Sequence, residues 1–573
     1  MAFQVSPGIN VSEIDLTAGI PAVDTSTGAI AGEFRWGPVE FLTPVSSEAQ
    51  LASKFYTPND STAALYLTAT SFLSYSSDLL VVRSTGANLV NAVANANLAM
   101  VASGTLVKNE EAYFTNEYTG TANANVAFSA RYAGSLGNSL KISICPNINA
   151  FSTWTYATNF PSSPNTSPYV LSRGGLGDEM HVIVVDEDGL ISGAAGTVLE
   201  KFPFVSKASD ARTDDGSSNY YKEVLWKNSK YVYWLNHPTN NDLATAATNT
   251  SNWGSTSAAT IFGGAYTANS NNYTVSFISG SDGTVSTGNV VNAYSQFSNP
   301  EYVDVSLIMQ GTGDATVATA LISTAESRKD CVVLLSPPLD KADTLSNITN
   351  WRNTTLNASS SYAIMDSGWK YMYDKYNDKY RWVPLNGDIA GLCARTDSQR
   401  DPWFSPAGYQ RGVIKNVVKL KFNPSKTDRD TLYKAGINPV VAFPGEGTVL
   451  FGDKTLLSRT SAFDRINVRR LFIVLEKAIS RAAKASLFEF NDEFTRAQFV
   501  SLVEPFLRTV QGRRGIYDFR VVCDTTNNTP DLIDRNEFVG DIYIKPARSI
   551  NYIQLNFVAV RTGVSFDEVV GKF

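Results

Sequence analysis

Apolar and polar positions follow two different periods along this chain, and the changes of period divide it. Over residues 9–16, Ile9 and Val11 alternate with Asn10 and Ser12, the two-residue period of a half-buried strand. Pro7, Gly8, Gly19 and Pro21 punctuate both sides and forbid a helix there. A lone strand cannot stand by itself, so this one must pair with something else. Over 61–75 the apolar residues Ala64, Leu65, Leu67, Ala69 and Phe72 predict a helix, and LLVVR, ending at Arg83, reads as a short buried strand. From about 86 to 300, short strand-like runs (KISIC, HVIVVDEDG, KYVYWL, YTVSFISG) alternate with turn-rich stretches such as SSPNTSPY and GSDGTVSTGN. That pattern predicts one or two β-rich inserted domains with long surface loops.

Beyond 301 the pattern becomes α/β. VDVSLIMQ as strand, ATVATALISTAESR as helix and CVVLLSPP as strand compose a βαβ unit. Over 465–487, Leu471, Phe472, Leu475, Ala478, Ile479 and Ala482 recur at helical spacing, with Arg470, Lys477, Arg481 and Lys484 among the polar positions. A second helix is predicted over 492–510, stopped by Gly512. The chain then returns to strand in IYDFRVVC, DIYIKP and NYIQLNFVAV. The last alternates Ile553, Leu555, Phe557 and Ala559 with Tyr552, Gln554, Asn556 and Val558.

Length changes this picture only by scale: 573 residues at about 150 per domain imply roughly three or four domains. With 43% hydrophobic and 18% charged residues, large cores are expected and global disorder is not. A net charge of -6 is too acidic for a chain whose main work is gripping nucleic acid. The charge is uneven, with 13 Lys+Arg against 23 Asp+Glu over 1–300 and 35 against 31 over 301–573. Cys145, Cys331, Cys393 and Cys523 lie far apart without CxxC spacing, which disfavours a zinc or redox site, and the apolar runs around Cys331 and Cys523 predict buried reduced thiols in strands. The start lacks the basic-then-apolar order of a signal peptide, and no run approaches the ~18 apolar residues of a membrane span. The expectation is a soluble protein made in a cytoplasm, with no membrane insertion.

Candidate chemistry is sparse. Gly311-Thr-Gly313 sits between a predicted strand and helix, but Thr316 replaces the third glycine of a dinucleotide loop and no acid ends the second strand. GTVLFGDKT (447–455) nearly matches a phosphate-binding loop, yet Asp453 precedes Lys454 and would repel phosphate. His181 and His237 are the two histidines, too few for a triad or a histidine-rich metal site. No carboxylate pair stands out. Arg469-Arg470 and Arg513-Arg514 are flanked by acids and read as ion-pairing residues. The expectation is therefore no catalytic residue, no cofactor and no metal.

Several strings are too long and particular to be generic. They are WKYMYDKYNDKYRWVPLNGDIAGLCARTD from Trp369, PWFSPAGYQRGVIKNVVKL from Pro402, AGINPVVAFPGEG with VLFGDKT, FDRINVRRLF from Phe463, and the long run from Val521 to Gly563. With SPGINVSEID and AGEFRWGP near the start, they resemble the tail sheath proteins of contractile-tailed bacteriophages, in particular the T-even-like myovirus group. The resemblance implies a multidomain α+β and α/β fold whose sheath core is built from both ends of the chain, with β-rich insertion between. It places an extended arm at 1–24, the first part of the core at 25–85, the insertion at 86–300, the C-terminal core at 301–545, and a terminal strand and arm at 546–573.

It also implies a structural subunit of the virion, assembled in the host cytoplasm as stacked hexameric rings around a tail tube. Contraction of these rings drives the tube through the host envelope. The implied partners are further copies of the chain, the tail tube protein, the baseplate and a tail terminator or neck protein, without direct nucleic-acid binding. Unpaired strand edges template pairing with other chains, so Ile9, Val11, Ile14, Ile553, Leu555 and Phe557 are expected in strands exchanged between subunits. Arg470, Lys477, Arg481 and Lys484 are expected on a tube-facing helix. The rivals are a host-surface tail fibre or adhesin and the sheath of a bacterial contractile injection system.

Overall fold

The computed structural model describes residues 23–96, 104–118, 126–238, 252–262, 272–551 and 554. They fall into two compact units, one of 23–402 with 406–469, the other continuing from 470 and including Trp403–Ser405.

The first unit opens with strand β1 (Gly28–Gly32), strand β2 (Thr43–Val45), helix α1 (Ala63–Leu73) and strand β3 (Leu79–Arg83). The sequence of β1, GAIAG, is a packing device. A Cβ on Gly28 would lie 2.5 Å from the Phe72 ring, so glycine lets α1 press onto the strand. β3 runs parallel to β1 in the register Gly28↔Leu79.

The chain then leaves for the insertion. Four antiparallel strands, β4 (Leu140–Cys145), β5 (Glu179–Asp186), β6 (Thr197–Ser206) and β7 (Tyr273–Ser276), order as β7-β4-β5-β6. Ile142, Ile144, Val182, Val184, Phe202 and Tyr273 form its core together with Trp234 of a smaller three-stranded sheet. The outgoing and returning chain are stitched side by side by the bridges Ala87–Thr284, Val90–Ser281 and Val93–Ile278. The insertion therefore ends near 284, not at 300. Helix α2 (Thr287–Tyr294) already belongs to the main core, where Ala293, Tyr294 and Phe297 are buried and the Tyr294 hydroxyl donates to the Met309 carbonyl at 2.5 Å. Its polar composition, TGNVVNAY, hid that membership.

On return come β8 (Leu307–Met309), α3 (Ala315–Arg328), β9 (Val332–Leu335) and β10 (Ala363–Asp366). A hairpin of β11 (Trp369–Asp374) and β12 (Lys379–Pro384) follows, then α4 (Asn386–Gln399), β13 (Lys419–Leu420) and β14 (Ile437–Asn438). The main sheet has the order β14-β10-β9-β8-β1-β3-β2, parallel except for β2. β1 sits inside it, paired to β8 on one side and β3 on the other. Two distant stretches thus make one core, as the family resemblance implied. Its strands are apolar on both faces because helices cover both. Among the four cysteines, all buried, Cys331 and Cys523 flank strands and Cys393 lies on α4, so burial rather than strand membership unites them.

The second unit holds most of α5 (Ile466–Ala483), then α6 (Glu493–Gly512), β15 (Ile516–Val522), the short helix α7 (Pro530–Asp534) and β16 (Asp541–Pro546). Asp492 caps α6 by accepting from the Thr495 amide at 2.8 Å. Phe499, Val503, Leu507 and Val510 bury one stripe of it. β15 and β16 pair antiparallel. The segment expected as one core, 301–545, therefore divides near residue 470. Helical periodicity announces α5 and α6 but carries no signal about which body each packs in.

Candidate assembly interface

The phosphate-loop candidates are closed by the protein itself. Gly311 and Gly313 adopt positive φ of 80° and 93°, and the Asn386 amide donates to the Gly311 carbonyl at 2.8 Å. A Cβ on Gly313 would meet the Pro338 backbone at 2.9 Å. Where a phosphate would meet the start of α3, the Asp314 carboxylate accepts from the Thr316 and Val317 amides at 2.8 and 3.0 Å. In the second candidate, Gly447–Leu450 is a strand rather than a turn, and buried Asp453 pairs with Arg465 at 3.0 Å.

The histidines are structural. His181 stacks on Phe160 with ring centroids 4.4 Å apart, holds the Ser162 carbonyl at 2.8 Å and accepts from the Phe204 amide at 3.1 Å. His237 contacts the Tyr221 hydroxyl at 2.5 Å, and burial lowers its pKa to about 4. Among the described residues there is no group of three or more His, Cys, Asp or Glu able to hold a metal, and no helix is long and apolar enough to cross a membrane.

Polar chemistry is instead spent on tying the first unit together. Lys370 on β11 reaches Asp388 on α4, with Nζ 2.9 and 2.8 Å from the two carboxylate oxygens. The Tyr75 hydroxyl donates to the same carboxylate at 3.1 Å, and Lys370 also donates to the Lys415 carbonyl at 3.1 Å. Burial raises the Asp388 pKa while the lysine opposes it. Asp366, at the end of β10, accepts from the Ser336 hydroxyl at 2.6 Å and the Gly368 amide at 2.8 Å. Burial, chiefly, pushes its pKa up to about 8.

Surfaces suited to assembly lie elsewhere. Among the described residues, β15 and β16 form a sheet of two strands, a size that is marginal alone and whose edges present unpaired backbone groups. Ile9, Val11, Ile14, Ile553, Leu555 and Phe557, the expected exchange strands, lie outside the described residues. Of the expected tube-facing residues, Arg470 is 4% exposed and cannot present its charge outward. The first turns of α5 are buried on all sides, and the neighbouring Arg469 guanidinium stacks over Tyr362 and Phe463 at 4.4 and 4.6 Å. Lys477 is half-buried, whereas Arg481 and Lys484 are exposed.

Two exposed apolar features escaped the sequence reading. The turn between α5 and α6 exposes Leu487, Phe488 and Phe490, the first turn of α6 adds Phe494, and Phe488 adopts a φ of 70°, unusual for a bulky residue. The string LFEF beside a helix stop was the available signal. The second is the outward face of the β12-β11-β13 sheet. There Tyr371 stands between Trp382 and Lys419 across the three strands, and Tyr373 faces Tyr380. Alternation was legible in KYMYD and KYRWV, but which face looks outward was not.

The chain matches two family models: the phage tail sheath protein central domain over 283–456 and the phage tail sheath C-terminal domain over 458–559. It is 35% identical to the tail sheath protein of Vibrio phage KVP40 over 671 aligned residues, covering 99% of this chain and 100% of that relative. It is 34% identical to the tail sheath protein of Enterobacteria phage T4, covering 99% of each. Crystal structures of sheath tail proteins from Listeria innocua and Desulfitobacterium hafniense share the fold at TM-scores of 0.53 and 0.52, each at 13% identity. They cover 92% and 94% of this chain and 93% and 100% of their own.

Proposed function

The chain belongs to the tail sheath proteins of contractile-tailed bacteriophages, and from that premise we propose how its ends and surfaces serve the assembly. It is a structural subunit of the virion tail that assembles with copies of itself. This membership displaces the fibre reading.

In our reading the subunits form hexameric rings stacked around a tail tube, assembled in the host cytoplasm and engaged at their ends by the baseplate and a terminator protein. The chain works without catalysis or cofactor. Strands from residues 9–16 and 551–560 complete the β15–β16 sheet on neighbouring subunits, so that the lattice stays connected while weaker polar contacts are exchanged during contraction. The observation that carries this is the two-stranded sheet among the described residues, beside chain ends with strand periodicity and no local partner in sequence. Each added backbone hydrogen bond contributes about 0.5–1.5 kcal/mol net, so one four-residue contact is weak and its repetition along the sheath is what holds. Arg481 and Lys484, exposed near the end of α5, remain as the tube-facing charges.

Deleting residues 1–15 tests the arms. The expected product is a soluble monomer with unchanged circular dichroism that forms no tubes in negative-stain micrographs. Normal, contraction-competent sheaths from this variant would remove the exchange reading while leaving the family assignment intact.

A further inference from the structure

The β12-β11-β13 sheet is inverted relative to an ordinary surface sheet. Its inner face carries the buried polar residues Lys370 and Asp374 beside Met372, and its outer face is aromatic. A half-solvated antiparallel sheet normally turns polar side chains to water. Here Tyr371 and Trp382 lie 4.8 Å apart, Tyr371 and Tyr380 stack at 5.6 Å, and Tyr373 and Tyr380 lie 5.3 Å apart. Tyr373 and Tyr380 are 46% and 53% exposed. The face is also basic. Lys419 lies 5.0 Å from the Tyr371 ring and Lys421 lies 5.1 Å from the Trp382 ring, and neither has an ion-pair partner among the described residues. At the hairpin end the Tyr373 hydroxyl donates to Asp378 at 2.7 Å, so the positive charge is confined to the β13 edge. Such a surface, apolar with one positive edge, calls for a partner that is apolar and negative on the matching side.

The chain carries one. Between β15 and β16, residues 523–540 contain Asp524, Asp531, Asp534 and Glu537 against the single base Arg535, which pairs with Glu537 at 3.5 Å. Asp531 and Asp534 have no ion-pair partner among the described residues, and Ile533 between them is 37% exposed. The loop is braced from within. Buried Asn528 donates to the Val539 carbonyl at 2.8 Å and accepts from the Val539 amide at 2.9 Å, so α7 is presented on a fixed frame.

Resting on the sheath reading above, we propose that the aromatic, lysine-edged face of one copy receives α7 of a second copy. Ile533 would lie against the tyrosines, and Asp531 and Asp534 would face Lys419 and Lys421. The contact joins two different patches, so it is heterologous. A heterologous contact that does not close on itself propagates an open helical array, which is the kind of contact a sheath requires and a two-fold interface cannot supply.

Charge reversal in three chains tests this. Lys419→Glu/Lys421→Glu and Asp531→Lys/Asp534→Lys should each give a folded protein, with wild-type circular dichroism and thermal transition, that has lost sedimentable tubes. The chain carrying all four substitutions should recover them, because the pairing is restored with its sign inverted. Tubes from either two-site variant at wild-type yield would overturn the proposal. So would a four-site variant that is folded but no more able to polymerise than its parents. A cysteine pair, Tyr373→Cys with Ile533→Cys, gives an independent reading: disulfide-linked ladders in assembled wild-type-charge tubes support the contact, and their absence from such tubes refutes it. If the wild-type chain itself formed no tubes, the sheath reading would fall instead.

Discussion

Replacing Lys370 by methionine preserves the length of the side chain and removes its charge from a site where lysine and aspartate are 1% and 0% exposed. The Asp388 carboxylate would then keep only the Tyr75 hydroxyl as a partner among the contacts described above. Breaking a buried pair from one side typically costs about 3–5 kcal/mol, because the remaining charge is stranded in a poor dielectric. Removing both charges, as Lys370→Met/Asp388→Leu, strands nothing. Its cost should be nearer the roughly 1 kcal/mol of a lost neutral hydrogen bond, since the Tyr75 hydroxyl still accepts from the Lys415 amide at 2.7 Å. The sign with pH follows from linkage. Burial already raises the Asp388 pKa, and loss of the lysine raises it further. The folded single mutant therefore binds a proton that the unfolded chain has released above the ordinary carboxylate pKa of about 3.9. Its deficit should be largest near pH 8 and shrink toward pH 5. Urea unfolding of wild type, single and double mutants at both pH values makes the measurement. A single mutant no less stable than the double, or a deficit equal at the two pH values, would refute the assignment of Lys370 as the counter-charge of a buried carboxylate.

Asp366 gives a second titration: with a folded pKa of about 8 against an ordinary carboxylate value, it should make the fold lose stability as pH rises between those limits, and Asp366→Asn should flatten that slope in thermal unfolding from pH 5 to pH 8. For the insertion, replacing 87–283 by a short Gly/Ser linker should leave a cooperatively folding core. Extending the replacement to 299 removes buried Tyr294 and Phe297 at about 3–5 kcal/mol for each aromatic, against a total stability of order 5–15 kcal/mol, so that chain should melt without a cooperative transition.

Local pattern carried far in this chain. The helix predicted from ATVATALISTAESR is Ala315–Arg328, the strand DIYIKP is Asp541–Pro546, and α6 ends at Gly512. What pattern could not carry is neighbourhood. Nothing in GAIAG says that it lies between strands from 79 and 307, and nothing in α2 says that it covers a core after following a β-rich insertion. Arg470 looked like a surface charge because arginine usually is one, yet the start of α5 is enclosed on every side. The aromatic face of β11 and β12 shows the reverse case: alternating tyrosine and tryptophan look like core positions, while the inward positions hold Lys370, paired with Asp388, and Asp374, paired with Arg381.

The position of β1 also orders events during synthesis. Its pairing with β3 spans about fifty residues and can form early, but its partner on the other side begins 279 positions later, at Leu307. At a ribosomal rate of about 5–20 residues per second, the nascent edge of β1 stands open for roughly 15–55 s. The insertion emerges in that interval, and its strands pair with one another across much shorter separations, so it can close before the core does. The stitched crossing at 87–93 and 278–284 then brings the late strands back beside the early ones. An insertion that closes first would therefore act as a spacer in time as well as in sequence. A destabilised insertion should lower the yield of folded subunit even where every contact of the finished core is intact.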